Sequence, residues 1–404
     1  MKIGILIPEF PTQTHTFFWR EVTALRSLGV EVALLSTRQP KEACPHEFAR
    51  LAAAETHYVY PPRPTATARS LLRGKGLLEI ARYIRKLAPA SRLRALGYVL
   101  CAADLADHAR RERIDHVHIQ SAADAAHLGA MAYLLSGLSY SIHLHGDLPV
   151  YGTNHAQKMA NAAFVAAAAR PMQEQLVTQA GVPRERTHTM RMGVDVAKFR
   201  VRPPRLATEP LHLVSVSRLA LCKGHRFGLA GMRQALDAGV DVRYTIAGAG
   251  PDKPAIEADL ARLGLSQRVR LVGSLSEQGV ADLLQTADVM LLTSVGLGEA
   301  SPVAVMEAMA VGVPAICSRI GGTADMIQSG VDGLLVDQQD IAGIANAVVT
   351  LARDRPLIER MGAAARRRAE TEFDAKILAQ RLIDTIQHTV QGTFQRTARR
   401  VASV

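Results

Sequence analysis

The chain has 404 residues, enough for two or three domains of ordinary size, and its 48% hydrophobic and 21% charged residues allow sizeable buried cores. Its net charge of +11 favours anionic partners such as nucleotides, acidic lipid surfaces or nucleic acid. Aromatics are only 4%, and no basic stretch is interleaved with them as a base-stacking surface requires, which disfavours nucleic acid. No apolar run nears the roughly 20 residues of a membrane-spanning helix.

The opening run Met1–Pro8 is too short and strand-like for a signal peptide, so a cytoplasmic location is expected. Lys2–Ile7 reads as a first strand, Thr16–Leu28 as a helix stopped by Gly29, and Glu31–Ser36 as a second strand. Pro61–Pro64 is a turn into a basic helical region; from Arg63 to Arg113 there are 12 Lys or Arg against 4 Asp or Glu. His116–Gln120 and Tyr140–His145 read as later strands. Val201–Pro210, with three prolines among polar residues, is the linker candidate. The alternation then restarts with Leu211–Leu219, Tyr244–Ala247, Val269–Val272, Val289–Thr293 and Ala315–Ser318 as strands. Ile341–Leu351 and Pro356–Thr389 read as long closing helices, and Gly392–Val404 as a basic, fraying tail.

Two alternating halves predict an α/β protein with two Rossmann-like doubly wound domains facing a central cleft. The expected division is 1–200, a linker over 201–210, a second domain over 211–370, and a closing helix and tail over 371–404 that crosses back to the first domain. The cysteines Cys44, Cys101, Cys222 and Cys317 lack C-x-x-C spacing and suit a reducing compartment rather than a zinc site or disulfides.

The most informative stretch is G-E-A-S-P-V-A-V-M-E-A-M-A-V-G-V-P, Gly298–Pro314. A strand feeds a loop and then a helix, with Ser301 suited to N-cap and Pro302 to the first helical position. The amides near Val303 and Ala304 then form an anion site at a helix N-terminus. Glu299 precedes that helix and Glu307 lies about one turn inside it, so each carboxylate can accept from vicinal hydroxyls. In S-V-S-R-L-A-L-C-K-G-H, Ser215–His225, Arg218 and Lys223 follow the first strand of the second half and can meet phosphate oxygens. Two cations and a helix N-terminus suffice to stabilise a leaving diphosphate without a metal.

These stretches, with Ile246–Pro251 (I-A-G-A-G-P), Gly193–Phe199 (G-V-D-V-A-K-F), Ala287–Ser294 and Gly321–Ile327, resemble glycosyltransferase family 4, the retaining enzymes of the GT-B fold. Phe10–Gly29 is similar to the opening of the exopolysaccharide, colanic-acid type branch. The resemblance implies transfer of a sugar from a nucleotide-diphosphate donor to a lipid-linked or oligosaccharide acceptor, with the nucleotide sugar as substrate, no cofactor and no metal. It implies that Arg218 and Lys223 bind the donor diphosphate, Glu307 the ribose, Glu299 the transferred sugar, and the Val303 and Ala304 amides the phosphate and sugar. His145 in H-L-H-G-D matches a His-Gly position near the transferred sugar. There are departures from the family pattern: Asp325 stands where Glu is usual, and Thr12 and Thr14 replace glycines of the first loop, which bears on acceptor contacts more than on donor contacts.

Blander readings stand beside these. His143 and His145 alternate on a strand and are expected to face opposite sides, one of them structural. Gly248–Pro251 lacks a full G-x-G-x-x-G and reads as a tight turn. His15, His116, His118, His127 and His155 make no metal set. Asp147 and Asp195 read as loop residues, and Ser301 as a cap, since no nucleophile elbow surrounds it. The basic run Arg69–Arg113 is either a solvated face or a patch for anionic lipid, with Leu71, Leu72, Leu77, Leu78, Ile80 and Ile84 as apolar contacts. Retention of configuration fits front-face substitution, since no carboxylate is evident where His145 stands. A GT-B nucleotide-sugar epimerase and a non-catalytic nucleotide-sugar-binding subunit are the alternatives.

Overall fold

The computed structural model describes the chain except residues 13–15, 43, 45, 74–75, 204–208, 298 and 403–404; over 391–402 it describes the helical backbone alone. Thr14, His15, Lys75, Gly298, the centre of the linker and the last two tail residues therefore lie outside the described residues. The chain divides into two compact units, Met1–Arg191 with Leu378–Val404, and Met192–Ile377.

The first unit holds a parallel sheet of β1 (Lys2–Glu9), β2 (Glu31–Arg38), β3 (His57–Tyr58), β4 (His116–Ile119), β5 (Ser139–Leu144), β6 (Val165–Ala167) and β7 (Thr187–Thr189). Its order is β3-β2-β1-β4-β5-β6-β7. Ile3, Ile5, Leu6 and Ile7 of β1 are all buried, as expected of a strand covered by helices on both faces. The helix Thr16–Ser27 ends as its glycine predicts: Gly29 donates to Arg26 O and Val30 to Leu25 O, with Gly29 left-handed.

The second unit holds β8 (Leu211–Val216), β9 (Val242–Ala247), β10 (Val269–Gly273), β11 (Val289–Leu292), β12 (Ala315–Ser318) and β13 (Gly333–Val336), in the order β10-β9-β8-β11-β12-β13. Leu213, Ile246, Leu291, Ile316, Ile344 and Met361 belong to one core between this sheet and its helices. Both sheets reverse strand order beside their first strand, at β1/β4 and at β8/β11. In doubly wound sheets ligands bind at the carboxyl ends of the strands flanking that reversal.

Two expectations change. Gly193–Phe199, placed by sequence before the linker, belongs to the second unit. Val194 N donates to Phe373 O (2.8 Å), Ala375 N returns to Val194 O (3.0 Å), and Arg366 donates to Phe199 O (2.7 Å). Arg202, inside the proline-rich stretch, is buried and paired with Glu359 at 2.7 Å. The closing helix is also not continuous. Arg355–Arg368 passes through a π-turn, Ala369–Phe373, and breaks at the extended Asp374. Asp374 Oδ1 then accepts from Lys376 N, and the last helix, Ala375–Ala402, runs through the stretch expected to fray.

Candidate functional site

The second unit gathers its candidate residues at the β8/β11 reversal. The chain leaves β8 through Ser217, Arg218 and Leu219, makes a 3-10 turn at Leu221–Lys223, and enters the helix His225–Asp237. It leaves β11 through Thr293 and Ser294. The two exits are bonded together: Thr293 Oγ1 donates to Gly224 O (2.9 Å) and Val295 N to Cys222 O (2.8 Å). The Lys223 ammonium is ion-paired with the Glu299 carboxylate, which also accepts from Ser294 Oγ at 2.8 Å. Their side chains are 17% and 10% exposed, so the pair is largely withdrawn from water. Gly321 explains the fixed position of Glu299: with φ +53°, a Cβ there would sit 1.5 Å from Glu299 O. Gly322 N adds a bond to Ala300 O (2.8 Å).

The helix after this loop is Val303–Val311. Its N-cap is Pro302, without a side-chain cap, rather than Ser301, whose hydroxyl meets Met326 Sδ at 3.3 Å instead. A cap hydroxyl must turn toward the amides two or three residues on; here the buried Ser301 points into the protein. Pro302 O accepts from Val305 N and Met306 N, while the Val303 and Ala304 N–H groups meet no acceptor among the described residues. Residues 305–311 are all buried, and Glu307 is the helix's one charged residue, 6% exposed. Apolar packing alone does not call for a carboxylate there. Glu307 stands four residues from Val303 and thus on its face of the helix, about 6 Å along the axis. Val303, Ala304, Glu307, Glu299 and Lys223 thus lie around one helix N-terminus.

Arg218 lies in the same strand exit, with its side chain exposed. The tight turn expected at Gly248–Pro251 begins only at Gly250, whose O accepts from Lys253 N (3.3 Å), while the stretch before it is extended. That stretch runs beside the Arg218 exit, with Ser217 N on Ala247 O (3.0 Å) and Leu219 N on Ala249 O (2.9 Å). A Cβ on Gly248 would lie 1.8 Å from Ser217 O, so the glycine permits two backbones to meet. Sequence reasoning missed His225. It is buried and kept neutral by that burial, and its Nε2 reaches Ser217 Oγ at 3.1 Å, bracing the Arg218 loop. Its place directly after Lys223-Gly224, where the helix starts, was the available signal.

In the first unit His145 follows β5, as expected. The expectation that His143 and His145 face opposite sides fails, because residues two apart on a strand share a face. Their ring centroids are 4.2 Å apart. His143 is the structural one: buried, with Nε2 on Met190 O at 2.9 Å, and pushed down to about 4 by burial. His145 is half-buried. Its Nε2 meets Gln120 Oε1 (2.7 Å), its backbone N donates to Tyr151 Oη (2.8 Å), and its ring packs against Phe17 and Phe18. Gln120 Nε2 donates in turn to Glu21 Oε1 (2.5 Å). Burial pushes the Glu21 carboxyl up to about 7, against the opposing hydrogen bond from Gln120. Gln120, Glu21 and Tyr151 carried no signal, since they come from three separate segments.

Part of the basic run is committed internally. Arg69 and Arg111 donate to the buried Asp107 at 2.8 and 3.0 Å, with Arg73 and Arg110 within 4 Å of it. These partners hold Asp107 down at about 2, Arg69 foremost. Arg82, Arg85, Lys86, Arg92 and Arg94 stay exposed, as do Leu72, Leu77, Leu78, Leu93 and Leu96, whereas Ile80 is buried and Leu71 and Ile84 are half-buried. Asp147 and Asp195 are loop residues, accepting from Gln175 (2.9 Å) and from Ala197 and Lys198 N (3.0 and 3.1 Å). Among the described residues no three His, Cys, Asp or Glu are grouped to hold a metal, and no helix is long and apolar enough to cross a membrane.

Residues 15–198 match Glycosyltransferase Family 4, and residues 210–354 match Glycosyl transferases group 1. The chain is 26% identical over 412 residues to the glycosyltransferase WcaL of Escherichia coli (strain K12), named for colanic acid biosynthesis, covering 96% of this chain and 100% of the relative. It is 26% identical to the amylovoran biosynthesis glycosyltransferase AmsK of Erwinia amylovora, over 96% of this chain and 99% of that one. Anabaena Alr3699/HepE, solved with UDP, has the same fold with a TM-score of 0.75 at 18% identity, covering 96% and 100% of the two chains. Two matched domains in tandem, full-length relatives and the shared fold agree: the chain belongs to the family 4 glycosyltransferases of the GT-B fold.

Proposed function

We propose that the protein transfers a sugar from a nucleotide-diphosphate donor to a saccharide acceptor in polysaccharide biosynthesis, with retention of configuration and without a metal. The observation that carries this reading is that the Val303 and Ala304 amides meet no acceptor among the described residues, in the loop-helix segment whose Glu299 pairs with Lys223 at the β8/β11 reversal. Amides at a positive helix end and a nearby ammonium are what a leaving diphosphate needs. The naming of WcaL and AmsK for exopolysaccharides, and the binding of UDP and UDP-glucose by HepE, support the substrate class.

In this mechanism Arg218 and Lys223 neutralise the charge that builds on the diphosphate as its bond to the anomeric carbon breaks. Glu307 accepts from the ribose hydroxyls and Glu299 from the transferred sugar. His145 bonds a sugar hydroxyl. The acceptor oxygen attacks from the face the diphosphate leaves, and its proton passes to the departing phosphate oxygen. The exposed leucines with Arg82, Arg85, Lys86 and Arg94 support reversible attachment to an anionic membrane carrying a lipid-linked acceptor.

A thermal-shift screen across nucleotide sugars identifies the donor, since a ligand binding only the native state raises its stability. Transfer with that donor, read by NMR of the product anomer, is expected to show retention and to persist in chelator. Inverted product, or activity lost to chelator and restored by magnesium, would refute the corresponding part. Sugar release or isomerisation without acceptor would favour an epimerase.

A further inference from the structure

In the first unit the helix Leu77–Lys86 has two distinct faces. Ile80 and Tyr83 are buried, and Tyr83 Oη meets His127 Nδ1 of the helix Asp124–Ser136 at 2.6 Å. Leu78, Arg82 and Arg85, spaced i, i+4 and i+7, share the opposite, exposed face. Arg92 of the next helix, Pro89–Arg111, ties down its C-terminal end by donating to Leu87 O (3.1 Å) and Arg85 O (2.9 Å). That next helix exposes Leu93, Leu96 and Leu100 in a stripe at i, i+3 and i+7.

A cavity of about 350 Å³ lies between the helices Leu77–Lys86, Asp124–Ser136 and His155–Met159. Tyr83 and Leu134 give it apolar surface, while Arg82, Lys86, Gln157 and Asn161 bring donors to it. Among the described residues the side chains of Lys86, Gln157 and Asn161 meet no hydrogen-bond partner. Arg82 has only Glu79, which also lines the cavity, at 3.7 Å and beyond hydrogen-bond reach. Both side chains of that pair are exposed, so it holds Arg82 weakly. Two cations and two amides around one cavity have the chemistry of a phosphate seat, the cations for its charge and the amide N–H groups for its remaining oxygens. The exposed leucines call for a ligand with an apolar part as well.

We propose that this cavity seats the phosphate of an anionic phospholipid, with Arg82 and Lys86 on the phosphate oxygens, Gln157 and Asn161 on the polar headgroup, and the exposed leucines against the acyl chains. This rests on the membrane attachment proposed above and narrows it from a diffuse charged patch to one seat per chain. In a diffuse patch each Lys or Arg near the surface contributes alike. In a seat, Arg82 and Lys86 count for more than Arg85 and Arg94, which do not line the cavity.

The test titrates dihexanoyl phosphatidylglycerol, kept below its micelle concentration, into the full chain. Nitrogen-15 NMR reads the asparagine and glutamine side-chain amides, with Asn161 assigned by its absence in Asn161→Ser. A saturable shift at Asn161 is expected, ending at one lipid per chain. Arg82→Gln/Lys86→Gln is expected to weaken this binding at least about tenfold, since two charge-assisted hydrogen bonds are lost. The charge-matched Arg85→Gln/Arg94→Gln is expected to stay within about twofold of wild type, as exposed charges outside a site contribute little. Both double variants lose affinity for vesicles of phosphatidylglycerol in phosphatidylcholine, because both remove two surface charges.

No saturable shift at Asn161, with such vesicles still bound, overturns the seat and leaves the diffuse patch. Equal loss of lipid binding in the two double variants does the same. Inorganic phosphate that shifts Asn161 as strongly as the lipid overturns the phospholipid as occupant. Wild type that binds neither lipid nor vesicles sinks the membrane reading, and the seat with it. The wild-type titrations decide between these outcomes even if a variant fails to fold.

Discussion

Glu299→Gln is expected to separate binding from chemistry at the proposed donor site. In the protein as folded, Lys223 is already neutralised by Glu299, and both side chains are mostly withdrawn from water. A diphosphate arriving at the Val303 and Ala304 amides must share the ammonium with that carboxylate. Two unit charges 4 Å apart interact by about 4 kcal/mol at the effective dielectric of a protein surface. Solvent competition leaves about 1 kcal/mol to be recovered by a phosphate when the carboxylate becomes an amide. Glutamine keeps the size and can still accept from Ser294 Oγ. The expected result is nucleoside diphosphate binding several-fold tighter than wild type, read by calorimetry. The same variant should lose most transfer, because the carboxylate that would meet the sugar is gone. A stability loss of about 2 kcal/mol, several degrees in melting temperature for a unit of this size, is expected from the weakened pair. Weaker or unchanged nucleotide binding would show that Glu299 does not compete for Lys223.

Glu307→Gln is expected to weaken donor binding by about 1–3 kcal/mol through lost charged hydrogen bonds; unchanged calorimetric affinity removes its ribose role. Arg218→Ala, at an exposed side chain, is expected to lower kcat while leaving the melting temperature within about 2 °C, and a large stability loss would make it structural. His116 and His143 are buried and pushed down to about 3 and about 4 by desolvation, so the unfolded chain binds more protons between pH 6.5 and those values. Their contribution is present above pH 6.5 and is lost as pH falls, by about 1.4 kcal/mol per pH unit for each. Glu21 has the opposite sign, losing its contribution as pH rises through about 7. A melting temperature that stays flat from pH 7 to 5 would count against the histidine account. Binding to anionic vesicles at low salt is expected to decline with added salt and on changing Arg82, Arg85 and Lys86 to Gln; wild type that ignores such vesicles leaves the patch a solvated face.

Much of the candidate site of the second unit was legible in the sequence as a set of neighbouring positions, because its parts are local. The β11–loop–helix segment carries Glu299, Val303, Ala304 and Glu307 within nine residues, and Arg218 and Lys223 lie within one strand exit. Helical spacing and strand alternation set these positions before any long-range contact forms. Strand positions followed from apolar runs for the same reason, and the Gly29 stop from its freedom to adopt positive φ. The resemblance to family 4 was carried by the same local stretches.

Tertiary structure decided what depends on residues far apart in the chain. The Lys223–Glu299 pair joins the exits of two strands that neighbour only through the sheet order. Gly248 is explained by the backbone it meets, and Gly321 by the backbone of Glu299 as well as by its own turn, in which Thr323 N donates to Ile320 O. Arg69 and Arg73 looked like surface charge until Asp107 claimed them, and Gly193–Phe199 joined the second unit through Phe373 and Ala375. His145 was singled out by its place at a strand end, but Glu21 and Gln120, 99 residues apart, meet only when the first unit folds. Periodicity fixes which face a side chain takes along its own element; which partner it finds there is set by the packing of elements whose order in space the chain does not spell out.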